Sequence, residues 1–302
     1  MVDVSVIVVN YNTRTFTENC IRLVIERTKN VTYEIIIVDN NSTLFNPQIF
    51  VEQFPSVRLI KNSCNAGFAA GNNAGILHAE GNYMLLLNSD TELVNDAISI
   101  AFSKMESDKT IGALTGKLIY PDGRIQGAIC SFPSLKNQFI ELFRLGTFEK
   151  KAAKAVRLKG DLWDYANATD GDWIWGTFFM FKKDLLQIFP EKKLHEDFFM
   201  YYEDVLWCYH IKKNAHLRIH YFPEPVIIHH LSGSSINTSA EEIFAQKILP
   251  NEYAFITKTK GKPYAFLYYI IKALHQFTLR KKMNIQRGMF YLKFIKTKIV
   301  RN

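Results

Sequence analysis

The stretch YMLLLNSD, residues 83–90, does most to decide the fold of this 302-residue chain. Its apolar run, Tyr83–Leu87, has no polar alternation and ends directly in Asn88-Ser89-Asp90. A short, uninterrupted apolar run is typical of a strand buried on both faces, as in a parallel sheet. A carboxylate at the end of such a strand lies where α/β sheets present metal or phosphate ligands. Alone, the triplet is equally compatible with an ordinary turn.

The segments on either side of this stretch alternate between strand and helix signals. Predicted strands are Val4–Val9, Tyr33–Val38, Val57–Ile60 and Tyr83–Leu87, and helices are predicted after Thr15, around Phe50 and over Ala69–His78. Repeated βα units predict an α/β fold in which a mostly parallel central sheet is flanked by helices.

The regular alternation stops after a predicted strand at Ile111–Ile119. Residues 131–170 show no clear period, which predicts an insertion or a loop. Order returns at Trp173–Phe181 and is followed by a predicted helix, Val205–Lys213. Two further strands are predicted at Leu217–Tyr221 and Val226–Ile228.

The composition predicts a folded protein of a reducing compartment. The chain is 48% hydrophobic and 22% charged, which is ordinary for a globular protein. Its four cysteines are scattered and form no CxxC pair, so neither a disulfide framework nor a zinc site is expected. The first residues lack the basic start of a signal peptide, and we expect a cytoplasmic protein.

The net charge of +8 is concentrated in the last part of the chain. Residues 251–302 hold twelve Lys/Arg and one acid, Glu252, whereas residues 1–250 carry a net charge of −3. We therefore predict two parts, 1–250 and a basic, aromatic helical extension, 251–302. The extension suggests an anionic partner, either lipid or nucleic acid, although helices packed back onto the core would also explain its aromatic residues. Its longest uncharged run, Pro263–Ile271, is too short to span a bilayer.

Polar clusters follow four of the predicted strands. They are Asn10-Tyr11-Asn12, Asp39-Asn40-Asn41-Ser42, Asn65-Ala66-Gly67-Phe68 and Asn88-Ser89-Asp90. Ligands of open α/β sheets bind beyond the carboxyl ends of the strands, so these clusters are expected to converge on one crevice. Turn chemistry alone is the competing explanation for each of them.

Three glycines, Gly67, Gly71 and Gly75, do not form a nucleotide fingerprint. Their spacing is G-x3-G-x3-G, whereas the dinucleotide motif is G-x-G-x-x-G, and no phosphate-loop GK[ST] is present. Close helix packing or a tight turn explains them. An NAD enzyme and a P-loop ATPase are therefore not expected.

Two later segments carry candidate catalytic groups. Glu203-Asp204 follows an aromatic run, and a carboxylate beside apolar side chains can have the raised pKa of a general base. Helix capping is the plainer explanation of these acids. His229, at a predicted strand end, is a candidate cation ligand near Asp90.

In order, these motifs resemble the inverting family 2 glycosyltransferases, and most of all the bacterial rhamnosyltransferase-like enzymes of surface polysaccharide and cell-wall synthesis. The motifs are VSVIVVNYN (4–12), VDNNS (38–42), NAGFAAGNNAGI (65–76), LLLNSDTEL (85–93), GTFFMFKK (176–183), FFMYYEDV (198–205) and HHLSGSS (229–235). The resemblance implies a GT-A fold, a dTDP- or UDP-sugar donor, Mg²⁺ or Mn²⁺, and a glycan or lipid-linked acceptor.

The resemblance also implies a role for each matching residue. Asn10, Tyr11, Asn12 and Asp39 match the nucleoside-binding positions, and Asn65, Gly67, Asn72 and Asn73 match the stretch lining the nucleotide and the donor. Asn88-Ser89-Asp90 matches the DxD motif, with Asp90 as metal ligand and Asn88 and Ser89 on the donor. His229 completes the metal shell, with His230 as a substitute. Asp204, beside Glu203, matches the general base.

The implied reaction is a single in-line displacement by an acceptor hydroxyl, which Asp204 deprotonates. One departure from the family pattern is Leu206, which stands where a second acid is frequent and so affects the expected acceptor class. A lipid-linked acceptor favours the inner face of the cell membrane as the site of action. The rivals are a pyrimidine nucleotidyltransferase and a non-catalytic membrane- or nucleic-acid-binding protein. The absence of a Gly- and Lys-rich loop after the first strand argues against a nucleotidyltransferase. The slightly acidic charge of residues 1–250 argues against a non-catalytic binding protein, and no nucleic acid partner is expected.

Overall fold

A computed structural model describes residues 2–145, 150–160, 163–231, 239–279 and 282–300. The strands are β1 Val4–Asn10, β2 Tyr33–Asp39, β3 Val57–Lys61, β4 Tyr83–Asn88, β5 Thr91–Leu93, β6 Ile111–Ile119, β7 Ile129–Cys130, β8 Thr169–Gly171, β9 Trp173–Ile174, β10 Phe178–Lys182 and β11 Arg218–His229. The α-helices are α1 Arg14–Arg27, α2 Ile49–Gln53, α3 Phe68–Ile76, α4 Ala97–Ser107, α5 Leu135–Leu142, α6 Lys151–Leu158, α7 Glu203–His210, α8 Ala240–Ile243, α9 Leu249–Lys260, α10 Lys262–Thr278 and α11 Lys282–Val300.

One mixed sheet forms the centre of the molecule, with the strand order β3-β2-β1-β4-β10-β6-β11-β5. The first four strands run parallel, as the continuous apolar runs predict, and β10 is antiparallel to both of its neighbours. Strand β8 pairs with β11 off this path, and β7 and β9 form a second, two-stranded sheet.

Helix α3 packs unusually close to the sheet, and its glycines permit this. A Cβ on Gly75 would lie 2.5 Å from a methyl group of Ile7, and one on Gly71 would lie 2.8 Å from Val9. The interpretation of these glycines as packing residues is therefore confirmed.

A second hydrophobic core joins the C-terminal helices to α7. It contains Phe198, Val205 and Leu206 together with buried residues of α9, α10 and α11, among them Phe255 and Tyr269. Leu206 is fully buried in this core, which gives a physical reason for an apolar residue at that place. The predicted boundary at residue 250 falls inside α9, and the two-part division stays a prediction.

Three sequence-based expectations differ from the structure. Residues 131–170 hold two helices and a strand rather than an irregular insertion. The two strands predicted at Leu217–Tyr221 and Val226–Ile228 are one strand, β11, which continues through a register shift between Tyr221 and Val226. The strand region predicted at Trp173–Phe181 is divided between β9 and β10.

In the part of the chain that the structure describes, none of the helices combines the length and the apolar character needed to cross a membrane.

Candidate active site

The predicted clusters meet at one edge of the sheet. In the parallel register Asn10 lies beside Asp39, and Val9 lies beside Asn88. Antiparallel β10 begins at this same edge, where the Thr177 carbonyl accepts a hydrogen bond from the Asn88 N–H at 3.0 Å. The carboxyl ends of three parallel strands and the start of β10 therefore surround one crevice.

Asn10 and Asp39 form the buried base of this crevice. The Asn10 amide donates to Asp39 Oδ1 at 2.6 Å and to Ser42 Oγ at 3.0 Å. Ser42 in turn donates to Asp39 from its hydroxyl, at 2.6 Å, and from its backbone N–H, at 2.9 Å. The Asp39 carboxylate is thus held in a single orientation by neighbours that all donate to it.

The loop after β1 is tied to the loop after β2. Asn12 has a left-handed backbone, with φ of 59°, and its side-chain oxygen accepts the N–H groups of Thr43 and Leu44. Tyr11, between Asn10 and Asn12, is 38% exposed at the surface of the crevice region. Its ring is available to a ligand, whereas Asn12 serves the loop itself.

Asn65 and Gly67 connect α3 to the segment that precedes α7. The Asn65 side-chain oxygen accepts the Gly67 N–H at 3.1 Å. Gly67 has φ of 94°, and a Cβ there would lie 2.2 Å from the Phe199 carbonyl oxygen, so only glycine fits.

Asn72 faces the protein interior, whereas Asn73 faces the segment around Leu194. The Asn72 amide donates to the Phe68 carbonyl at 2.9 Å, and the residue is only 1% exposed. Asn73 bonds to both backbone groups of Leu194. Neither side chain contacts the other predicted site residues through these hydrogen bonds.

Asn88, Asp90 and His229 form a compact group in which both ionisable residues are buried. His229 Nε2 lies 3.4 Å from Asp90 Oδ1 and 3.3 Å from the Asn88 amide nitrogen. His229 Nδ1 lies 3.0 Å from Gln126 Oε1, while the other Gln126 atom, Nε2, donates to the His229 carbonyl at 2.7 Å. Because this second bond orients the Gln126 amide, its oxygen faces His229 Nδ1, and Nε2 is the ring nitrogen that faces Asp90.

This group fits a divalent cation. A carboxylate and an imidazole nitrogen that face one another are donors that Mn²⁺ and Mg²⁺ sites use, and Asp90 and His229 would hold such an ion here. Among the described residues no cluster of three or more His, Cys, Asp or Glu could hold a metal by itself. His230 is directed elsewhere, with its Nε2 2.8 Å from Glu92 Oε1.

Asp204 lies at the start of α7 and is held against the turn between β9 and β10. Its Oδ2 accepts the Gly176 N–H at 3.0 Å, and its Oδ1 accepts the Val205 N–H at 2.8 Å. Glu203, its neighbour, is 5% exposed, and its Oε2 has no hydrogen-bond partner among the described residues.

Burial shifts the pKa values of the two carboxyl groups to different extents. Burial raises the pKa of Asp204 to about 6, and the two N–H donors limit this rise. Burial, followed by repulsion from Asp204, raises the pKa of Glu203 well above its usual range. Ionisation of Asp204 is therefore favoured over ionisation of Glu203.

The turn before α7 has an uncommon backbone. Tyr201 and Tyr202 both adopt left-handed conformations, with φ of 69° and 75°. The Asn251 side-chain amide, on α9, donates to the carbonyls of Met200 and Tyr201, each at 2.9 Å. The C-terminal extension thus holds the turn that positions Asp204.

Sequence reasoning missed three residues that organise the site: Thr13, Gln126 and Asn251. The Thr13 hydroxyl bonds to Asn10 Oδ1 at 2.9 Å and to Ser89 Oγ at 3.0 Å. It therefore connects the base of the crevice to the Asn88-Ser89-Asp90 triplet. Nothing near these residues in sequence indicates their long-range partners. For Gln126 one general signal is available. A His that binds a metal through one ring nitrogen usually needs a hydrogen-bond acceptor at its other ring nitrogen.

Solved structures define the class of fold. The chain is similar to a mannosyltransferase from Pyrobaculum calidifontis, whose structure contains GDP-Man and Mn²⁺, with a TM-score of 0.57 and 15% identity over 98% of this chain and 77% of that one. It is also similar to residues 1–349 of TarS from S. aureus, with a TM-score of 0.55 and 14% identity over 98% of this chain and 92% of that one. The predicted GT-A fold, with helices at the C-terminus, is confirmed.

The family is defined by sequence. The family model of glycosyl transferase family 2 matches residues 5–158, just over half of the chain. The chain therefore belongs to glycosyl transferase family 2, and the predicted enzyme class, a glycosyltransferase, is confirmed.

One curated relative gives a biological context. The O-antigen biosynthesis protein RfbC of Myxococcus xanthus is 32% identical over 98 residues, which are 32% of this chain and 8% of that protein. The chain spans between 8% and 38% of the length of the curated relatives that it matches.

Proposed function

We propose that this chain is an inverting, metal-dependent glycosyltransferase that moves a hexose, with rhamnose as the first candidate, from a dTDP- or UDP-sugar to a hydroxyl of a glycan or lipid-linked acceptor. The observation that carries the proposal is the meeting of two groups at one sheet edge. Asp90 and His229 form a cation-binding pair there, and Asp204 forms a separate carboxylate with the pKa of a general base.

Each group has a distinct task in this proposal. The fixed Asp39 carboxylate accepts from the nucleobase, and Asn10 keeps that carboxylate in place. When bound by Asp90 and His229, Mg²⁺ or Mn²⁺ supplies positive charge next to the leaving diphosphate. Asp204 takes the proton of the acceptor hydroxyl as that oxygen attacks the anomeric carbon from the opposite face.

Three observations support the proposed acceptor, donor and cation. The relative named for O-antigen biosynthesis supports a polysaccharide acceptor, and the mannosyltransferase solved with GDP-Man supports a nucleotide-sugar donor. The Mn²⁺ in that structure supports a divalent cation. We expect synthesis of surface polysaccharide at the inner face of the membrane.

The deciding experiment is incubation of the purified chain with a panel of dTDP-, UDP- and GDP-sugars and with Mg²⁺ or Mn²⁺. We expect release of nucleoside diphosphate from one donor class, and its loss when EDTA is added. Release of pyrophosphate instead would establish a nucleotidyltransferase. No turnover of any donor, with or without polysaccharide or lipid extracts as acceptor, would contradict the proposal.

The pH dependence should report the Asp204 carboxyl group. A general base acts only when deprotonated, so kcat/KM should be constant above pH 7 and fall about tenfold per pH unit below the pKa of about 6. The measurement is initial-rate kinetics from pH 5 to 8, with circular dichroism as a check on folding. A rate that stays constant down to pH 5 would exclude Asp204 as the base.

We propose further that the C-terminal helices attach the enzyme to an anionic membrane surface. On α11, Asn284, Gly288, Tyr291 and Ile295 form the buried face. Next to that face, exposed Ile285, Met289 and Leu292 recur at helical spacing, at 41%, 62% and 38% exposure. Exposed Lys293 and Lys296 lie on the same side of this helix as those apolar residues and would face lipid phosphates. Apolar side chains beside basic ones are the pattern of an interfacial helix.

Replacing Ile285, Met289 and Leu292 together by glutamine should weaken binding to anionic liposomes by at least about tenfold, because each side chain loses apolar contact with the lipid. Sedimentation with vesicles of phosphatidylglycerol and phosphatidylcholine measures this. The control is the pair Leu44→Gln and Leu77→Gln, which removes apolar side chains that are even more exposed, at 77% and 81%, but lie outside α11. Equal binding by all three proteins would exclude docking through α11.

A further inference from the structure

A cavity of about 220 Å³ lies between the segment 131–138, strand β9 and the C-terminal helices. It is smaller than pockets for drug-sized ligands, which measure roughly 300–1,000 Å³, and it therefore suits a single small ring. None of the residues assigned above to the nucleotide, the cation or the general base lines this cavity.

Aromatic rings form much of its wall. Phe132, Trp173, Tyr202 and Tyr268 all line it, and they come from four different elements or loops. Ring faces carry partial negative charge and pack well against the slightly positive C–H groups of a saturated ring.

Polar groups stand beside these rings. Asn137 and Gln138 of α5 and Glu252 of α9 line the cavity, and Gln138 Nε2 donates to the Tyr268 hydroxyl at 3.3 Å. Amides, a hydroxyl and a carboxylate together offer both donors and acceptors. A ligand rich in hydroxyl groups can satisfy both kinds.

The charge of the cavity wall selects a neutral ligand. Glu252 is paired with Lys272, whose Nζ lies 2.8 Å from Glu252 Oε2 and 5.3 Å from the centre of the Tyr268 ring. The negative charge is thus already compensated, which disfavours a cationic guest. No Lys, Arg or His is found among the described lining residues, which disfavours a phosphate.

The cavity lies next to the general base along two chain segments. Tyr202 is separated from Asp204 only by Glu203, on the turn that begins α7. Trp173 precedes Gly176, whose N–H binds Asp204, by three residues. The cavity wall and the surroundings of Asp204 thus share two chain segments, which is why we look for a neighbouring unit of the acceptor in the cavity.

We propose that this cavity binds one neutral saccharide unit of the acceptor glycan, stacked on the aromatic wall and hydrogen-bonded to Asn137 and Gln138. This proposal rests on the proposed glycosyltransferase function, because only that function makes the bound saccharide part of an acceptor. The binding of a neutral sugar to the cavity is testable without turnover.

The test uses saturation-transfer NMR on the full chain with the methyl glycosides of rhamnose, glucose, galactose and N-acetylglucosamine. Saturating UDP or dTDP keeps the donor crevice occupied. At least one glycoside should bind, and Gln138→Trp, which fills the cavity, should weaken its binding at least about tenfold. The matched control, Lys136→Trp, places the same side chain on an exposed position of α5 and should bind as the wild type does. Should Gln138→Trp fail to fold, Asn137→Phe serves the same purpose.

Each outcome separates the two proposals. A glycoside signal lost only in the cavity-filling variant supports the site even if no sugar nucleotide is consumed, which would then overturn the proposed function alone. Turnover without any glycoside binding, or binding that Gln138→Trp leaves unchanged, would overturn the site. Displacement of the glycoside by choline or by inorganic phosphate would also overturn it, because both ligands are charged.

Discussion

Replacing Asp204 by asparagine is expected to lower kcat by about 10²–10⁴-fold, the usual contribution of a positioned general base. Asparagine keeps the size of the side chain, and its oxygen can still accept the Gly176 N–H, but it cannot take a proton from the acceptor. The donor KM should change little, since Asp204 is not expected to contact the nucleotide. Steady-state kinetics of transfer, with separate titration of donor and acceptor, measure both constants.

The adjacent residue supplies a demanding control, the substitution Glu203→Gln. Because burial and repulsion from Asp204 raise the pKa of Glu203 well above its usual range, the neutral form of its carboxyl group is favoured, and a glutamine side chain resembles that form. We therefore expect Glu203→Gln to retain most of the activity. A large loss in Glu203→Gln with activity kept in Asp204→Asn would transfer the role of base to Glu203.

Asp90→Asn is expected to reduce kcat roughly 10³-fold, since metal charge on the leaving diphosphate contributes several kcal/mol and each 1.36 kcal/mol is tenfold in rate. Asn88 already replaces the first acid of the motif, so this substitution removes the one carboxylate of the triplet. Binding of Mn²⁺ in the presence of UDP or dTDP, followed by the electron paramagnetic resonance of free Mn²⁺, should weaken in parallel. This second readout does not require turnover.

Glu92→Gln is the matched control for Asp90→Asn. Glu92 is a nearby acid whose Oε1 pairs with His230 and accepts from Asn19, so its loss alters local charge without removing a proposed ligand. We expect Mn²⁺ binding to be unchanged in this variant. Equal weakening in both variants would indicate a general electrostatic effect and contradict a specific role for Asp90.

The parallel half of the sheet was predictable because burial on both faces leaves a plain record in sequence. Val4–Asn10 and Tyr83–Asn88 are almost continuously apolar, and each ends in the polar residue that begins the crevice. Parallel strands also align their carboxyl ends, so Asn10, Asp39 and Asn88 could be expected to meet.

The later part of the fold was less predictable for local physical reasons. Helix α5 has only eight residues and none of them is buried, so its short apolar pattern is difficult to assign to a helix from sequence. Strand β11 contains Pro223 and Pro225, which normally end a strand, but the register shift there accommodates them.

The residues of the candidate site also fall into a predictable set and an unpredictable set. Asp90, Asp204 and His229 stand out because their chemistry is recognisable where a strand or helix begins or ends. Gln126 and Asn251 act through contacts 103 and about 50 residues distant in sequence. Such pairs depend on how the chain folds in space, and no local pattern records them.

The double hydrogen bond from Asn251 has a consequence for how such enzymes can diversify. A left-handed conformation costs a residue other than glycine roughly 1–2 kcal/mol, and Tyr201 and Tyr202 adopt it in succession. The stabilisation comes from α9, outside the segment that carries the base. Helix α9 is therefore part of the structure that shapes this turn. If α9 were exchanged between relatives, we expect the turn before Asp204 to keep its shape only when the new helix carries an amide donor at the position of Asn251.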